Sequence, residues 1–243
     1  MRILTVFFLL VTASIAFGGG LVAEYKFDGG LIDTGSDGQA ADTLTSSSCV
    51  YDVSFAGQSL YCSSNNLTAS DSADLDLPAQ YTIEAFIKPY SFDGTQYIIS
   101  KNSYAFVIAD SNLIFYHTQS DNTIIASSPI PLVLNRWQHI AAIANGGIVM
   151  VFLNGRAAAT IPYNGTILNS ASPLSIGANA GSNPYYGLID EIRIFNEVKT
   201  PAYIYSRALY TCGAMQNEDV DGDCRITFDD FEIMSIQWLL SEN

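Results

Sequence analysis

Side chains that bear oxygen are densest near the end of the chain, in residues 219–230. Counted from the first of these residues, such side chains fall at positions 1, 3, 5, 9 and 12, and position 7 offers a backbone carbonyl. A turn with this spacing wraps one hard cation, and Ca²⁺ takes about six to eight oxygen ligands. The segment therefore predicts an EF-hand-like calcium site. Its expected ligands are Asp219, Asp221, Asp223, Arg225 through its carbonyl oxygen, Thr227 and Asp230.

Two positions of this loop depart from the usual pattern. Position 6, normally a glycine at the sharp turn, is Cys224, and a disulfide bond to Cys212 would compensate for it. Position 12 is Asp230 instead of glutamate, and the apolar spacing of residues 228–240 predicts a helix after it. This combination resembles a dockerin calcium repeat, although dockerins carry two repeats and this chain has one. The resemblance implies calcium binding and attachment to a cohesin-like or surface protein.

The chain has four cysteines, at positions 49, 62, 212 and 224. An even number of cysteines in an exported chain favours disulfide bonds, and a zinc site is disfavoured because no Cys-x-x-Cys pair occurs. Three pairings are possible. Cys49–Cys62 and Cys212–Cys224 are the simplest, since each joins residues about a dozen positions apart.

Export itself is predicted from residues 1–17, which read as a secretory signal peptide. Arg2 is followed by an apolar run over residues 3–11 and by small residues at a cleavage point. The run is too short to span a hydrocarbon core of about 30 Å, which needs about 20 residues. We therefore expect an extracellular or cell-surface protein that is not held in a membrane once the signal is removed.

Composition narrows the class of partner. Hydrophobic residues make up 49% and charged residues 14% of the 243, which is enough apolar material for a large core and argues against disorder. The formal net charge is −14, and the ten basic residues are scattered. Because phosphate backbones are bound by clustered Lys and Arg, nucleic acid is not an expected partner.

The elements that must carry any site are short β-type runs between residue 21 and about residue 195. Residues 82–88 alternate, with Ile83, Ala85 and Ile87 on one face, and Asn154-Gly155 separates two apolar runs as a hairpin turn does. Many short strands without helices between them predict a sandwich or barrel. Residues 196–210 form a connector with helical character, in which Pro201 opens a helical turn with Tyr203, Ile204 and Leu209 facing inward. A domain boundary falls near residues 208–213.

Five segments resemble, in order, those of laminin-G-like, concanavalin-type jelly rolls, and the resemblance covers residues 21–205. The segments are 25–28, 82–89, 136–141, 152–155 and 187–196. One departure is Phe86, where that family usually has tryptophan. The resemblance implies a mainly β, jelly-roll sandwich over residues 21–207, followed by the calcium-loop and helix tail over residues 212–243.

Such domains bind carbohydrate or protein, often with Ca²⁺ near one rim of the sandwich. The resemblance places calcium-ligating carboxylates at Asp28 and Asp190, with backbone carbonyls and Asp33 as further donors. The alternative is that Asp190 and Glu191 pair with Arg193 or cap a strand.

Sugar sites need aromatic faces and polar side chains, and aromatic residues near loops or on sheet faces are the candidates. They are Tyr104, Tyr116, Tyr185 and Tyr186. The competing interpretation is that most of the 14 tyrosines belong to the core or to sheet faces. Trp137 and His139 are expected in the core, with the histidine hydrogen-bonded.

Catalysis is not predicted. A retaining glycosidase needs two carboxyl groups about 5–5.5 Å apart, yet strand alternation places Asp190 and Glu191 on opposite faces. No Gly-x-Ser-x-Gly elbow is present, and neither histidine has a recognisable nucleophile. The sequence thus predicts a secreted, non-catalytic polysaccharide-binding protein that attaches through its tail to a partner or surface assembly. The alternative is a structural or adhesive protein whose sandwich binds protein or itself.

Overall fold

A computed structural model describes residues 20–36, 41–45, 50–61, 63, 67–212, 228 and 231–232. This part of the chain contains fourteen strands and one helix of several turns, which confirms the mainly β class. Their bounds are β1 Leu21–Tyr25, β2 Val50–Val53, β3 Gln58–Tyr61, β4 Leu67–Ala69, β5 Gln80–Pro89, β6 Gln96–Lys101, β7 Tyr104–Ala109, β8 Asn112–Thr118, β9 Thr123–Pro131, β10 Gln138–Asn145, β11 Ile148–Leu153, β12 Arg156–Pro162, β13 Leu174–Ile176, β14 Gly187–Phe195 and α1 Pro201–Cys212.

Several predictions lie outside the described residues and stay predictions. They concern the signal peptide over residues 1–17, the calcium loop over residues 219–230, and Cys49, Cys62 and Cys224. Cys212 ends α1, but its side chain is also outside the description. Among the helices that are described, none has the length and apolar character needed to cross a membrane.

The strands form two antiparallel sheets. The large sheet has the order β12-β11-β10-β5-β14-β3-β2, with β1 also pairing with β14. The small sheet has the order β4-β13-β6-β7-β8-β9. Neighbouring strands in this sheet are often distant in sequence. β5 and β14 pair at its centre, although about a hundred residues separate them along the chain. The pairing of β1 with β14 likewise brings the first and last strands of the sandwich together.

Strand alternation sets which side chains enter the core. In β5, Ile83, Ala85 and Ile87 point inward, and all three are buried between the sheets. Their partners across the core include Phe106 and Phe115 of the small sheet. The inner faces are therefore apolar on both sides, as expected for a packed sandwich.

The predicted hairpin is confirmed between β11 and β12. Asn154 and Gly155 both have positive φ, 49° and 76°, as a two-residue turn with the right twist requires. Gly155 also has no room for a side chain, because an added Cβ would lie 2.9 Å from the Cα of Tyr205 in α1. The turn and the helix therefore fix each other.

A buried lysine joins two loops where β6 ends, at one end of the small sheet. The Lys101 ammonium contacts the Asp71 carboxylate, lies 3.2 Å from Asp76 Oδ1, and donates to the carbonyls of Ser170 at 2.5 Å and Ser172 at 2.9 Å. A buried charge is tolerated only when oxygen partners replace water. Here four oxygens do so.

Helix α1 lies on the outer face of the large sheet. The Thr200 hydroxyl accepts a hydrogen bond from the Tyr203 backbone N–H at 3.1 Å, and Pro201 follows as the first helical residue. Ile204 is fully buried against Ala141 and Phe152. The predicted helical connector with an inward Ile204 is confirmed.

A cluster of ion pairs lies between this helix and the large sheet. Glu84, buried in the sheet, lies 3.3 Å from Arg207 of α1 and 3.6 Å from Arg193 of β14. Burial alone would raise the pKa of Glu84, but His139 and the two arginines lower it overall. Glu191 completes the cluster at 2.8 Å from Arg193 and 3.3 Å from Arg207.

Replacing Ile204 by alanine tests how much the apolar contact of α1 stabilises the sandwich. We expect the free energy of unfolding to fall by about 2–5 kcal/mol, since the change removes buried methyl groups and leaves a cavity. Urea denaturation measures it. Ser206→Ala, on the exposed side of the same helix, should change stability by less than about 0.5 kcal/mol. Equal effects of the two variants would contradict the packing described here.

Candidate ligand-binding sites

A β-bulge in β14 decides where its acidic side chains point. Pairing with β5 shifts register between Asp190 and Arg193, and Glu191 has a φ of 48°. Ile189 and Ile192 on either side are both in the core. One extra residue therefore sends both Asp190 and Glu191 away from the core, and the expectation that they lie on opposite faces is wrong.

Asp190 is a buried carboxyl group at one rim of the sandwich. It accepts hydrogen bonds from the Ser54 hydroxyl and, at 2.7 Å, from the Glu191 backbone N–H. Burial raises the pKa of Asp190 to about 8, with the hydrogen bonds from Ser54 and Glu191 opposing this rise and the charges of Glu191 and Asp28 adding to it. The structure thus brings Asp28 near Asp190, as a shared rim site would require.

The oxygens at this rim suit calcium only in part. Asp28, Asp190 and the Ser54 hydroxyl are hard donors of the kind that Ca²⁺ prefers. Asp33 is committed elsewhere, because its carboxylate accepts from the backbone N–H groups of Glu24 at 2.8 Å, Gly35 at 2.7 Å and Asp42 at 3.2 Å. Within the described residues no group of three or more His, Cys, Asp or Glu could hold a metal ion. Backbone carbonyls and water would have to complete the shell.

Three tyrosines meet at the surface beside this rim, and we call them the tyrosine cluster: Tyr61, Tyr90 and Tyr186. Their ring centroids lie 5.7 Å apart for Tyr61–Tyr186, 6.1 Å for Tyr61–Tyr90 and 6.2 Å for Tyr90–Tyr186. Tyr186 is 44% exposed and meets both other rings edge to face. This is the accessible aromatic surface that a sugar ring could stack on.

The backbone holds Tyr186 in place at both sides. Its N–H donates to the Gln96 side-chain oxygen at 2.9 Å, and its carbonyl accepts from the Tyr90 N–H at 2.9 Å. Gln96 is buried and donates in turn to the Ser91 carbonyl at 2.9 Å. These bonds fix the backbone of Tyr186, and its ring contacts those of Tyr61 and Tyr90.

Beneath the cluster lies a second apolar layer, separate from the main core, on the outer face of the large sheet. Phe86, Trp137 and Leu188 are buried there, with Phe55 packed against them. Phe55 stands edge to face with Trp137 at 5.2 Å and with Phe86 at 5.0 Å. Trp137 is thus buried as expected, but in this outer layer and not in the core between the sheets.

Polar groups border the cluster. Burial raises the pKa of Tyr61, the hydrogen bond with Tyr186 raises it further, and one with Ser63 opposes this. Burial also raises the pKa of Tyr90, and the nearby Asp52 carboxylate adds to the effect. The phenols are therefore neutral at ordinary pH and can both donate and accept hydrogen bonds.

Two of the four tyrosines proposed from the sequence cannot contact a ligand in this structure. Tyr104 and Tyr185 are fully buried in the core, so neither ring has a free face. Tyr116 is half-buried on the outer face of the small sheet, 6.5 Å from the ring of Tyr97. Tyr61 and Tyr90 were missed because nothing local marks them; only the pairing of β3 with β14 brings Tyr61 to Tyr186.

Both histidines are buried. His139 lies with Nε2 3.3 Å from Glu84 Oε2, and this contact helps to lower the pKa of Glu84. His117 stacks on Tyr81 and is hydrogen-bonded to its hydroxyl at 2.7 Å. Burial lowers the pKa of His117 to about 4.

Two antiparallel sheets with these crossovers define a concanavalin-like jelly-roll domain with an aromatic surface site at one end. A family model described as the concanavalin A-like lectin/glucanases superfamily, of the laminin G type, matches residues 62–205. This is well over half of the chain, which belongs to that family. The earlier strands β1–β3 precede the matched region and complete the same large sheet.

Solved structures agree on the fold. Domain 4 of AbnA, an extracellular arabinanase of family GH43 from Geobacillus stearothermophilus solved with arabinotriose, has a TM-score of 0.67 and 20% identity over 78% of this chain and 98% of its own. The binding domain of Paraclostridial Mosquitocidal Protein 1 has a TM-score of 0.68 and 13% identity, over 79% and 52%. The binding domain of Botulinum Neurotoxin DC in complex with SialylT has a TM-score of 0.62 and 16% identity, over 79% and 51%.

The chain spans about half the length of these two toxin domains. A search of curated protein sequences returned no significant match. At these identities the likeness concerns the fold, and the ligands named for the relatives belong to the relatives.

The buried His117 gives a pH dependence that can be measured. The unfolded chain takes up a proton near pH 6.5 and the folded chain only near pH 4, so the free energy of unfolding should fall as the pH is lowered through this interval. In His117→Phe this contribution disappears. We expect the stability difference between wild type and variant to shift in favour of the variant below pH 6.5, as measured by urea denaturation. A difference independent of pH would contradict a neutral, buried His117.

Proposed function

We propose that this protein is a secreted, non-catalytic carbohydrate-binding module that binds neutral glycans at the tyrosine cluster. The observation that carries the proposal is the set of three tyrosines in mutual contact at the surface, with the Tyr186 ring exposed and hydroxyl groups at its border. The proposal agrees with membership of a superfamily that includes lectins.

The tyrosine cluster can contact both the apolar face and the hydroxyl groups of a sugar ring. The apolar C–H face of a pyranose or furanose packs against an aromatic ring, while its hydroxyls need neutral groups that donate and accept. Tyr186 offers the face, and the phenols of Tyr61 and Tyr90 offer the hydrogen bonds. Because the Tyr186 ring already contacts the rings of Tyr61 and Tyr90, part of its side-chain freedom is lost before binding.

Charge favours neutral over acidic glycans. The formal net charge of the chain is −14, and the Asp52 carboxylate acts directly on Tyr90. A sialylated or uronic-acid glycan would meet repulsion here. Since a domain of the same fold was solved with arabinotriose, neutral oligosaccharides of that kind are the first ligands to test.

We also propose that the protein is not an enzyme. The bulge places Asp190 beside Glu191, but Asp190 is fully buried and Glu191 pairs with Arg193 and Arg207 under α1. A glycosidase needs its two carboxyl groups open to the scissile bond. This arrangement leaves neither acid open to a scissile glycosidic bond.

We further propose that the protein binds Ca²⁺ at two sites and is attached to a partner through its C-terminal tail. The spacing of residues 219–230 supports a dockerin-like calcium loop that attaches the chain to a cohesin-like or surface protein, and residues 1–17 support secretion. At the rim, Asp28, Asp190 and the Ser54 hydroxyl would hold a second Ca²⁺. That ion would supply the positive charge that the buried Asp190, flanked by acids, lacks.

Tyr186→Ala tests the glycan site. We expect at least about tenfold weaker binding of a neutral oligosaccharide, equal to about 1.4 kcal/mol, because the stacking face is lost. Isothermal titration against a panel of neutral oligosaccharides, arabinotriose included, measures it. Tyr205→Ala is the matched control, since Tyr205 is 49% exposed on α1, away from the cluster.

Equal binding by wild type and Tyr186→Ala would exclude the tyrosine cluster as the site. If no glycan binds while a protein is captured through the same surface, with capture lost in Tyr186→Ala, the adhesive alternative replaces the proposal.

Calcium binding tests whether the sandwich and the C-terminal tail act independently. Asp219→Ala/Asp221→Ala should bind one Ca²⁺ fewer per chain and keep its glycan affinity, whereas Asp190→Asn should lose the rim ion alone. Equilibrium dialysis counts the ions, and thermal melting with and without Ca²⁺ reports the stabilisation. Loss of glycan affinity together with tail calcium would show that sandwich and tail are not independent. Unchanged ion counts in Asp190→Asn would remove the rim site.

A further inference from the structure

A cleft of about 460 Å³ opens between the β8–β9 turn and the loops beside β11 and β12. Its size falls within the range of about 300–1,000 Å³ that small-molecule sites occupy. Three carboxamide residues and three apolar residues form most of its wall. They are Gln119, Asn122, Asn164, Ile124, Pro162 and Tyr163.

Among the described residues that line this cleft, the Tyr163 phenol is the only ionisable group, and burial raises its pKa. A carboxamide has two N–H donors and a carbonyl acceptor, so it suits vicinal hydroxyls, which donate and accept in turn. Ile124, Pro162 and the Tyr163 ring offer apolar faces for C–H groups. An ion would gain little here, whereas a neutral sugar meets both kinds of surface.

The cleft is held open by its own hydrogen bonds. Gln119 donates from its side chain to the Asn164 carbonyl at 2.8 Å and from its backbone to the Asn122 carbonyl at 2.7 Å. Tyr163 donates to the Ala79 carbonyl at 3.2 Å, and its ring lies 4.4 Å from that of His117. These bonds use backbone carbonyls of the two asparagines and leave their exposed side chains toward solvent.

We propose that this cleft is a second binding site for a neutral saccharide. It lies at the opposite end of the sandwich from the tyrosine cluster. Gln80 pairs with Asn145 near the cleft, and Pro89 pairs with Gly187 beside the cluster, so the ten residues of β5 separate the two sites by about 30 Å. The inference rests on the proposed function for the class of ligand, but on different residues.

Two sites at this separation change what the domain recognises. A trisaccharide is too short to reach both, whereas one polymer chain can occupy both and raise its effective concentration at the second site. The domain would then bind polysaccharide more tightly than oligosaccharide, and loss of either site would remove that preference.

Gly147 allows the cleft to be filled without strain. It lines the cleft, an added Cβ would meet no atom within 4 Å, and its φ is not in the left-handed region. Gly147→Phe should therefore occupy the cleft, while Gly147→Ala is a matched control that adds one carbon. Asn122→Ala/Asn164→Ala removes two carboxamides without filling the space.

The experiment is isothermal titration with three neutral trisaccharides, arabinotriose, xylotriose and cellotriose, on full-length wild type and variants, with melting curves to check folding. For a trisaccharide that binds, we expect two ligands per chain in wild type and Gly147→Ala, and one in Gly147→Phe. Asn122→Ala/Asn164→Ala should weaken the cleft site about tenfold. Tyr186→Ala should retain the cleft site, and Tyr186→Ala/Gly147→Phe should bind none.

One ligand per chain in wild type, with an unchanged titration in Gly147→Phe and in the double asparagine variant, would overturn the second site and leave the tyrosine cluster intact. One ligand in wild type that is lost in Gly147→Phe and kept in Tyr186→Ala would support the cleft and overturn the tyrosine cluster. Failure of all three trisaccharides to bind wild type would overturn both.

Discussion

The bulge at Asp190 and Glu191 is the constraint on which the outer face of the large sheet depends. By adding one residue to the central strand β14, it turns two acidic side chains away from the core in succession. Glu191 then pairs with Arg207 and fixes α1 over the sheet, while Asp190 binds Ser54 in the turn between β2 and β3. That hairpin carries Tyr61 to the tyrosine cluster. One local irregularity thus positions both α1 and the hairpin that carries Tyr61, on the same outer face of the large sheet.

Much of the fold was predictable because it follows from local pattern. Alternation around Ile83 predicted a strand of the sandwich, Asn154-Gly155 predicted a hairpin, and the helical spacing after Pro201 predicted an inward Ile204. Each of these signals acts within a few residues, where side-chain period and turn geometry decide the outcome.

The site was less predictable because its members come from distant strands. A tyrosine in a loop or strand carries no local mark of exposure, so Tyr185, fully buried, and Tyr186, 44% exposed, could not be told apart. Their burial depends on which strand packs above them. The acids of β14 were misassigned for a related reason, since strict alternation fails at a bulge and a sequence does not announce one. Gln119 and the other cleft residues gave no signal, because carboxamides are common in loops.

The central claim is that a neutral glycan stacks on Tyr186. Intermolecular nuclear Overhauser effects between sugar C–H protons and selectively labelled tyrosine rings would test it most directly. We predict cross-peaks from the C–H face of the bound sugar to the Tyr186 ring, with weaker ones to Tyr61 or Tyr90. Cross-peaks to Tyr116 and Tyr97 alone would place the ligand on the small sheet, and would contradict the account.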